Sequence, residues 1–170
     1  MYQRCSILLL LIFSTQIPFV FASAVDKSDQ EYNEKQISQG LAVYKKSNCT
    51  FCHGWAGDGQ GHPRSPGAAA SLRNSQLDRQ GMTFIIKCGL IGGAMPYHDR
   101  MAYRDNRCVA DPASIAAESI PKKGKNISAK NLQALVTYLI SKVQGSGEVT
   151  FEQCESFYKV GSRNCQYLQR

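Results

Sequence analysis

Beyond its first two dozen residues, this 170-residue chain has no apolar run long enough to cross a bilayer. It shows no convincing alternation of polar and apolar residues, so no sheet is expected, and it contains no internal repeat. Charged residues make up only 19%, against 43% hydrophobic and 9% aromatic, which excludes a disordered polymer. Acidic residues are the scarcer sign: 13 Asp and Glu against 20 Lys and Arg, a formal net charge of +7. Such an excess suits nucleic acid, an anionic membrane or an acidic protein, and composition does not choose among them. The length fits one domain.

What the start of the chain does have is a short basic head ending at Arg4, then Ile7-Leu8-Leu9-Leu10-Leu11-Ile12-Phe13 and Ile17-Pro18-Phe19-Val20-Phe21, then Ala22-Ser23-Ala24. This reads as a secretory signal peptide over residues 1–24, cleaved after Ala24. The alternative, a retained anchor, is opposed by Ser14, Thr15, Gln16 and Pro18, which break the apolar run. Cys5 leaves with the signal. Export to the periplasm is expected, with a soluble mature protein that keeps its basic excess and has little occasion to meet nucleic acid.

Six cysteines remain: Cys49, Cys52, Cys88, Cys108, Cys154 and Cys165. In an oxidising compartment an even count ordinarily means disulfides. The first pair argues otherwise, because Cys49-Thr50-Phe51-Cys52-His53 is a C-x-x-C-H sequence, the attachment signature of c-type haem. Two thiols three positions apart on a turn each reach one vinyl group, and the next residue lies under the iron. A thioredoxin-like site would not need the His and would want a βαβ setting. A zinc site would want a second close-spaced pair of ligands.

An electron-carrying haem needs a sixth ligand, and Met82, Met95, Met101, His62 and His98 are the candidates. Met95 has the best local chemistry. Gly92-Gly93-Ala94 lets the backbone pass close to a porphyrin face, and Pro96 stiffens the loop just past the ligand. Thioether ligation raises the potential relative to a second imidazole. His98 is the rival. Met82 sits in an apolar helical stretch and reads as core, Met101 as packing, and His62 as a surface residue or one near the ligands.

The axial His53 should donate its other ring proton to a carbonyl. The Gly- and Pro-rich loop Gly54–Gly67 is the obvious source, with the carbonyl before Pro63 or Pro66 as acceptor. Trp55 and Arg64 have two readings each: donors to a haem propionate, or loop packing and solvated charge. Helical spacing predicts helices over Glu31–Lys46 (Ile37, Leu41, Tyr44), Gln76–Lys87 and Asn131–Ile140 (Leu132, Leu135, Val136, Leu139), the last capped by Ser128. Gly40 inside the first helix costs stability unless another helix crosses there.

Taken in order, Gly40-x-x-x-Tyr44, Cys49-x-x-Cys52-His53, Met95-Pro96 and Leu135-x-x-Tyr138-Leu139 resemble a class I cytochrome c over roughly Glu31 to Lys142. The resemblance implies an all-α fold wrapping one covalent haem, with first and last helices crossing near Gly40 and Tyr138. It implies Cys49 and Cys52 as thioether positions and His53 and Met95 as axial ligands. Residues 25–143 would form the cytochrome domain and 144–170 a C-terminal extension. Of the three pairings open to the other four cysteines, Cys88–Cys108 and Cys154–Cys165 are expected. The first bridge would tie down the Met95 loop and contribute roughly 3 kcal/mol by chain entropy.

The segment Met95–Cys108, with the four additional cysteines, looks like a subgroup of these cytochromes found with methanol metabolism. That likeness implies a donor that is a pyrroloquinoline-quinone (PQQ)-dependent alcohol (methanol) dehydrogenase, and a terminal oxidase or another cytochrome as acceptor. The expected function is electron transfer and not catalysis, with Arg64, Arg73, Lys87, Arg100, Arg104 and Arg107 steering an acidic partner. Asp99, Asp105 and Asp111 interleave with them and could neutralise part of that face. A haem enzyme or gas sensor would need an open iron position, which Met95 argues against. A fixed haem subunit of a larger respiratory complex is the third reading.

Overall fold

The computed structural model describes residues 27–67 and 69–168, with side chains from Asn33 onward. The expected signal peptide, its cleavage point and Cys5 lie outside the described residues. Helix α1 spans Lys27–Lys46, starting four residues before the expected Glu31. A short helix α2, Cys49–His53, comes next, then α3, Arg79–Cys88. Helix α4 covers Ala129–Tyr138 and continues into one π-helical turn, Leu139–Val143. Helix α5, Phe151–Phe157, and a 3₁₀ turn, Arg163–Leu168, complete the chain. Among the described residues there is no strand, only an isolated bridge between Tyr97 and Lys123.

Caps decide where two of these helices begin. Asp78 accepts the Gly81 N–H, so α3 starts at Arg79 and not at the expected Gln76. Ser128 accepts the Asn131 N–H, as its position before the apolar pattern predicts.

Helices α1 and α4 cross tightly. A Cβ on Gly40 would stand 2.1 Å from the Ala134 carbonyl oxygen and 2.6 Å from Tyr138 Cβ. Only hydrogen lets the helices approach this closely. Around the crossing, Ile37, Val43 and Tyr44 of α1 pack with Leu132, Leu135, Val136 and Tyr138 of α4, Leu139, and Met82 and Ile86 of α3. The Tyr44 and Tyr138 rings lie 5.9 Å apart. Burying each large apolar side chain stabilises the fold by about 1.5–3 kcal/mol, so this cluster carries the scaffold.

Both expected disulfides are present. Cys88–Cys108 brackets the segment containing Met95, and Cys154–Cys165 closes the C-terminal extension. A small second cluster surrounds the first bridge, with Ala102 buried, Tyr97 and Tyr103 edge to face, and the Tyr103 hydroxyl donating to the Cys88 carbonyl. The long segment from Gly89 to Ile127 is therefore pinned with only two short 3₁₀ turns, Pro112–Ser114 and Ala117–Ser119, as regular structure.

Candidate haem site

The attachment sequence forms helix α2 because both of its ends permit a sharp reversal. Asn48 takes a left-handed conformation (φ 69°), which its short polar side chain tolerates. Gly54 (φ 76°) ends the helix and returns its N–H to Thr50 O. The loop then wraps back so closely that a Cβ on Gly61 would lie 2.3 Å from the Phe51 and Cys52 carbonyl oxygens. The buried Tyr44 hydroxyl donates to Gly54 O at 2.7 Å, tying α1 to the residue after His53. Burial raises the Tyr44 pKa, so this hydroxyl stays a donor.

His53 Nδ1 donates to the Ala70 carbonyl, 3.0 Å away. The acceptor is therefore neither of the carbonyls expected beside Pro63 and Pro66. The His62 carbonyl is already taken by Ser65 N–H. Leu72 and Arg73 both donate to Gly57 O, which lays residues 69–73 alongside residues 53–59. Burial lowers the His53 pKa, against a smaller opposing effect of the Ala70 bond. The neutral ring, the form that ligates metal, is favoured, with Nε2 left as its lone-pair nitrogen.

Cys49, Cys52, His53 and Met95 all line one cavity of about 440 Å³. Met82, Ile85, Ile86, Leu135 and Leu139 supply its apolar walls, and Pro96 and His98 share the Met95 side. The two thiols are free while the other four described cysteines are paired. Burial pushes the Cys49 thiol up to about 12. Reactive redox dithiols do the opposite and lower a thiol pKa, so this pair is poorly suited to thiol–disulfide exchange. Two thiols, an imidazole with its far nitrogen tied down and a thioether, in an apolar cleft within the usual ligand-pocket range, fit a covalently held haem.

The Met95 loop is shaped by a glycine that sequence reading missed. A Cβ on Gly89 (φ 67°) would meet Met95 O at 2.7 Å and Tyr97 N at 2.8 Å. Leu90 N–H bonds to Met95 O. Gly92, by contrast, has open space around it, so its role is the turn itself and not close packing.

The other candidate ligands sit in different settings, and of the two histidines among them only His98 lines the cavity. His62 is exposed, stacked on Phe51, and accepts Arg64 N–H. Met82 is core, as expected, and also forms cavity wall. Met101 is half-buried and does not line the cavity. His98 is 5% exposed, and its Nδ1 bonds Lys125 O at 2.7 Å. Its ring packs so tightly on Gly124 that a Cβ there would touch it at 2.6 Å.

Of the expected surface roles, that of Arg73 is corrected, while Trp55 takes its packing alternative and the interleaved aspartates neutralise part of the basic face. The Trp55 indole N–H is used by the Tyr167 hydroxyl, 3.1 Å away, because the C-terminal extension folds over it. Arg73 is buried in backbone carbonyls and faces no partner. Arg107 pairs with Asp99 and Asp105, and Lys87 lies 3.9 Å from Asp99, so that part of the basic face is neutralised locally. Arg64, Arg100 and Arg104 remain exposed.

A small helical domain that gathers a C-x-x-C-H turn, a half-buried imidazole and a thioether around one apolar cleft is a c-type cytochrome domain. Residues 35–139 match the family model described as cytochrome c oxidase, cbb3-type, subunit III, and the chain belongs to that family. The chain accordingly carries covalently bound haem c and an electron-transfer domain. No curated protein and no solved structure matches it. Among the described residues no helix is long and apolar enough to cross a membrane.

Proposed function

We propose that this protein is a single-haem electron carrier in which Cys49 and Cys52 form the thioethers and His53 and Met95 are the axial ligands. Haem c supplies a one-electron Fe(III)/Fe(II) couple when bound. In that site Ala70 orients His53, Met95 would supply the second ligand to the iron, and the apolar walls limit water. The observation that carries this reading is the convergence of those four side chains on one cavity. With residues 1–24 removed on export, residues 25–143 act as the cytochrome domain in the periplasm and 144–170 as its extension.

The direct test is the mass of the exported protein together with carbon monoxide binding to its ferrous form. The mass should equal that of a chain beginning at Val25 plus one haem. The wild type should resist carbon monoxide at neutral pH, Met95→Ala should bind it promptly, and His98→Ala should resist it. Prompt binding by the wild type would overturn Met95 ligation and favour a gas-binding function.

For partners, we propose an acidic redox protein, with a PQQ-dependent alcohol (methanol) dehydrogenase as donor and a terminal oxidase or another cytochrome as acceptor. Arg100, Lys122, Lys123 and Lys125 are exposed and make no ion pair among the described residues. They sit on the segment that backs the cavity wall, since Tyr97 N–H bonds Lys122 O and His98 bonds Lys125 O. That placement supports docking beside the Met95 loop. Reduction by the purified dehydrogenase should slow with added salt and with Lys122→Glu/Lys123→Glu. A rate indifferent to both would remove this docking face. A second reading, a fixed subunit of a respiratory complex, draws on the family description and on exposed Phe84, Leu90 and Ile91. Co-purification with a stoichiometric partner would favour it.

A further inference from the structure

Arg73 is 7% exposed, and no carboxylate pairs with it among the described residues. Its guanidinium is held entirely by neutral acceptors. Nε donates to Gly147 O at 2.8 Å, Nη1 to Ala56 O at 3.2 Å, and Nη2 to Ser146 O, Glu148 O and Gln153 Oε1 at 3.1, 2.7 and 3.1 Å. Its main chain is tied at both ends, by its N–H to Gly57 O and by its carbonyl to Gly145 N–H. Burying an arginine this way is expensive unless all its donors are met, so the geometry is specified and not incidental.

Two parts of the molecule meet at this side chain. On one side is the loop whose residues 53–59 and 69–73 lie together, and whose Ala70 carbonyl receives the His53 ring proton. On the other is the C-terminal extension. Gln153 also belongs to the capping box that starts α5, so the Arg73 bond reaches directly into that helix. The extension is itself anchored: Cys154 and Cys165 are fully buried in their disulfide, and Phe157 packs against Trp55.

We propose that Arg73 is a positioning residue for the iron ligand: it latches the C-terminal extension to the loop that holds His53, and the extension thereby sets the haem reduction potential. The inference rests on the reading of His53 as axial ligand. A ring proton held by a fixed carbonyl makes the imidazole a stronger donor, which favours Fe(III). Loosening Ala70 weakens that donation and shifts the couple toward Fe(II).

The test uses the holoprotein with two variants that act from opposite sides of the latch. Arg73→Lys keeps the charge but cannot reproduce the planar, five-donor arrangement. Cys154→Ala/Cys165→Ala leaves Arg73 intact and frees the extension. Both should raise the reduction potential, and both should accelerate solvent exchange of the His53 Nδ1 proton, followed by NMR of the ferrous state, by about tenfold or more. Combined, they should shift the potential by less than the two separate effects together, because they open one latch. If Arg73→Lys does not accumulate folded, the disulfide variant alone decides. Wild-type exchange and wild-type potential in the folded variants would overturn the proposal. Failure of the underlying ligand reading looks different: His53→Ala would keep a six-coordinate low-spin spectrum, and the wild type would show no protected His53 ring proton.

Discussion

Gly40→Ala is the sharpest probe of the scaffold. The new methyl group would begin 2.1 Å from the Ala134 carbonyl oxygen and 2.7 Å from its carbon, both backbone atoms that cannot rotate away. Restoring an ordinary contact of about 3.4 Å requires the two helices to separate by more than an ångström along that line. The displaced pair includes Tyr44 and Tyr138 and the fully buried Leu135 and Val136. Alanine gains about 1 kcal/mol of helix propensity over glycine, whereas overpacking of this kind costs about 1–3 kcal/mol or more. A rigid backbone contact lies at the upper end, leaving a net loss of about 2 kcal/mol, which lowers Tm by about 4–8 °C for a domain of this size. Thermal unfolding of the holoprotein by far-UV circular dichroism measures it. Gly81→Ala in α3 is the internal contrast. There the Cβ would meet only the ends of Asp78 and Leu77 side chains, at 3.2 and 3.3 Å. That variant should be neutral or slightly more stable. An unchanged or raised Tm for Gly40→Ala would refute the close crossing.

Tyr44→Phe removes the hydroxyl that bonds Gly54 O and leaves that carbonyl only the longer bond from Gly57 N–H, so it should cost about 1 kcal/mol in guanidinium unfolding. Asp99 should make the Met95 side of the molecule acid-sensitive. Burial alone would raise its pKa, but the Met101 N–H and the Arg107 and Lys87 charges together hold it below the ordinary carboxylate range. The stabilisation is thus present above about pH 4 and lost as pH falls through the depressed value. Hydrogen exchange over residues 97–108, relative to the intrinsic rate at each pH, should quicken there, and Asp99→Asn should reduce that pH dependence, leaving the part due to Asp105. Cys88→Ala/Cys108→Ala should lower stability by roughly 3 kcal/mol and make ferrous protein bind carbon monoxide faster, because the Met95 segment loses its tether.

The attachment motif was legible because its chemistry is contiguous: Cys49, Cys52 and His53 reach their common cavity from one turn of helix. Helices α1 and α4 were legible because Ile37, Leu41, Tyr44, Leu132, Leu135, Val136 and Leu139 repeat at the helical period, and all but the half-buried Leu41 are buried. Gly40 could be read as a crossing because a glycine there costs too much to be idle. The start of α3 was misjudged because a single capping carboxylate, Asp78, overrides the weak pattern before it. What stayed hidden depends on where loops return. Nothing around Ala70 distinguishes it as the acceptor for His53, since that bond exists only because Gly57 O gathers Leu72 and Arg73. An arginine between Leu72 and Asn74 looks like solvated surface until residues 146–153 close over it. Gly89 hides for a related reason, because the chain doubles back within a few residues to set Met95 and Tyr97 against it.

These loop contacts surround a space that the polypeptide alone cannot close. The cavity is about 440 Å³ and is walled by Leu135, Leu139, Met82 and Ile86, the same residues that form the helical core. These walls lose their apolar surface to water unless a group fills the cleft, so the prosthetic group is part of the core and not a passenger in it. The two disulfides and the Arg73 latch fit the same logic. The first disulfide restrains the segment carrying Met95, and the second, with Arg73, holds the C-terminal extension against the loop behind His53. Folding, haem attachment and the closing of these restraints should form one cooperative event, with the chain lacking haem falling well short of native helix content even when both disulfides are made.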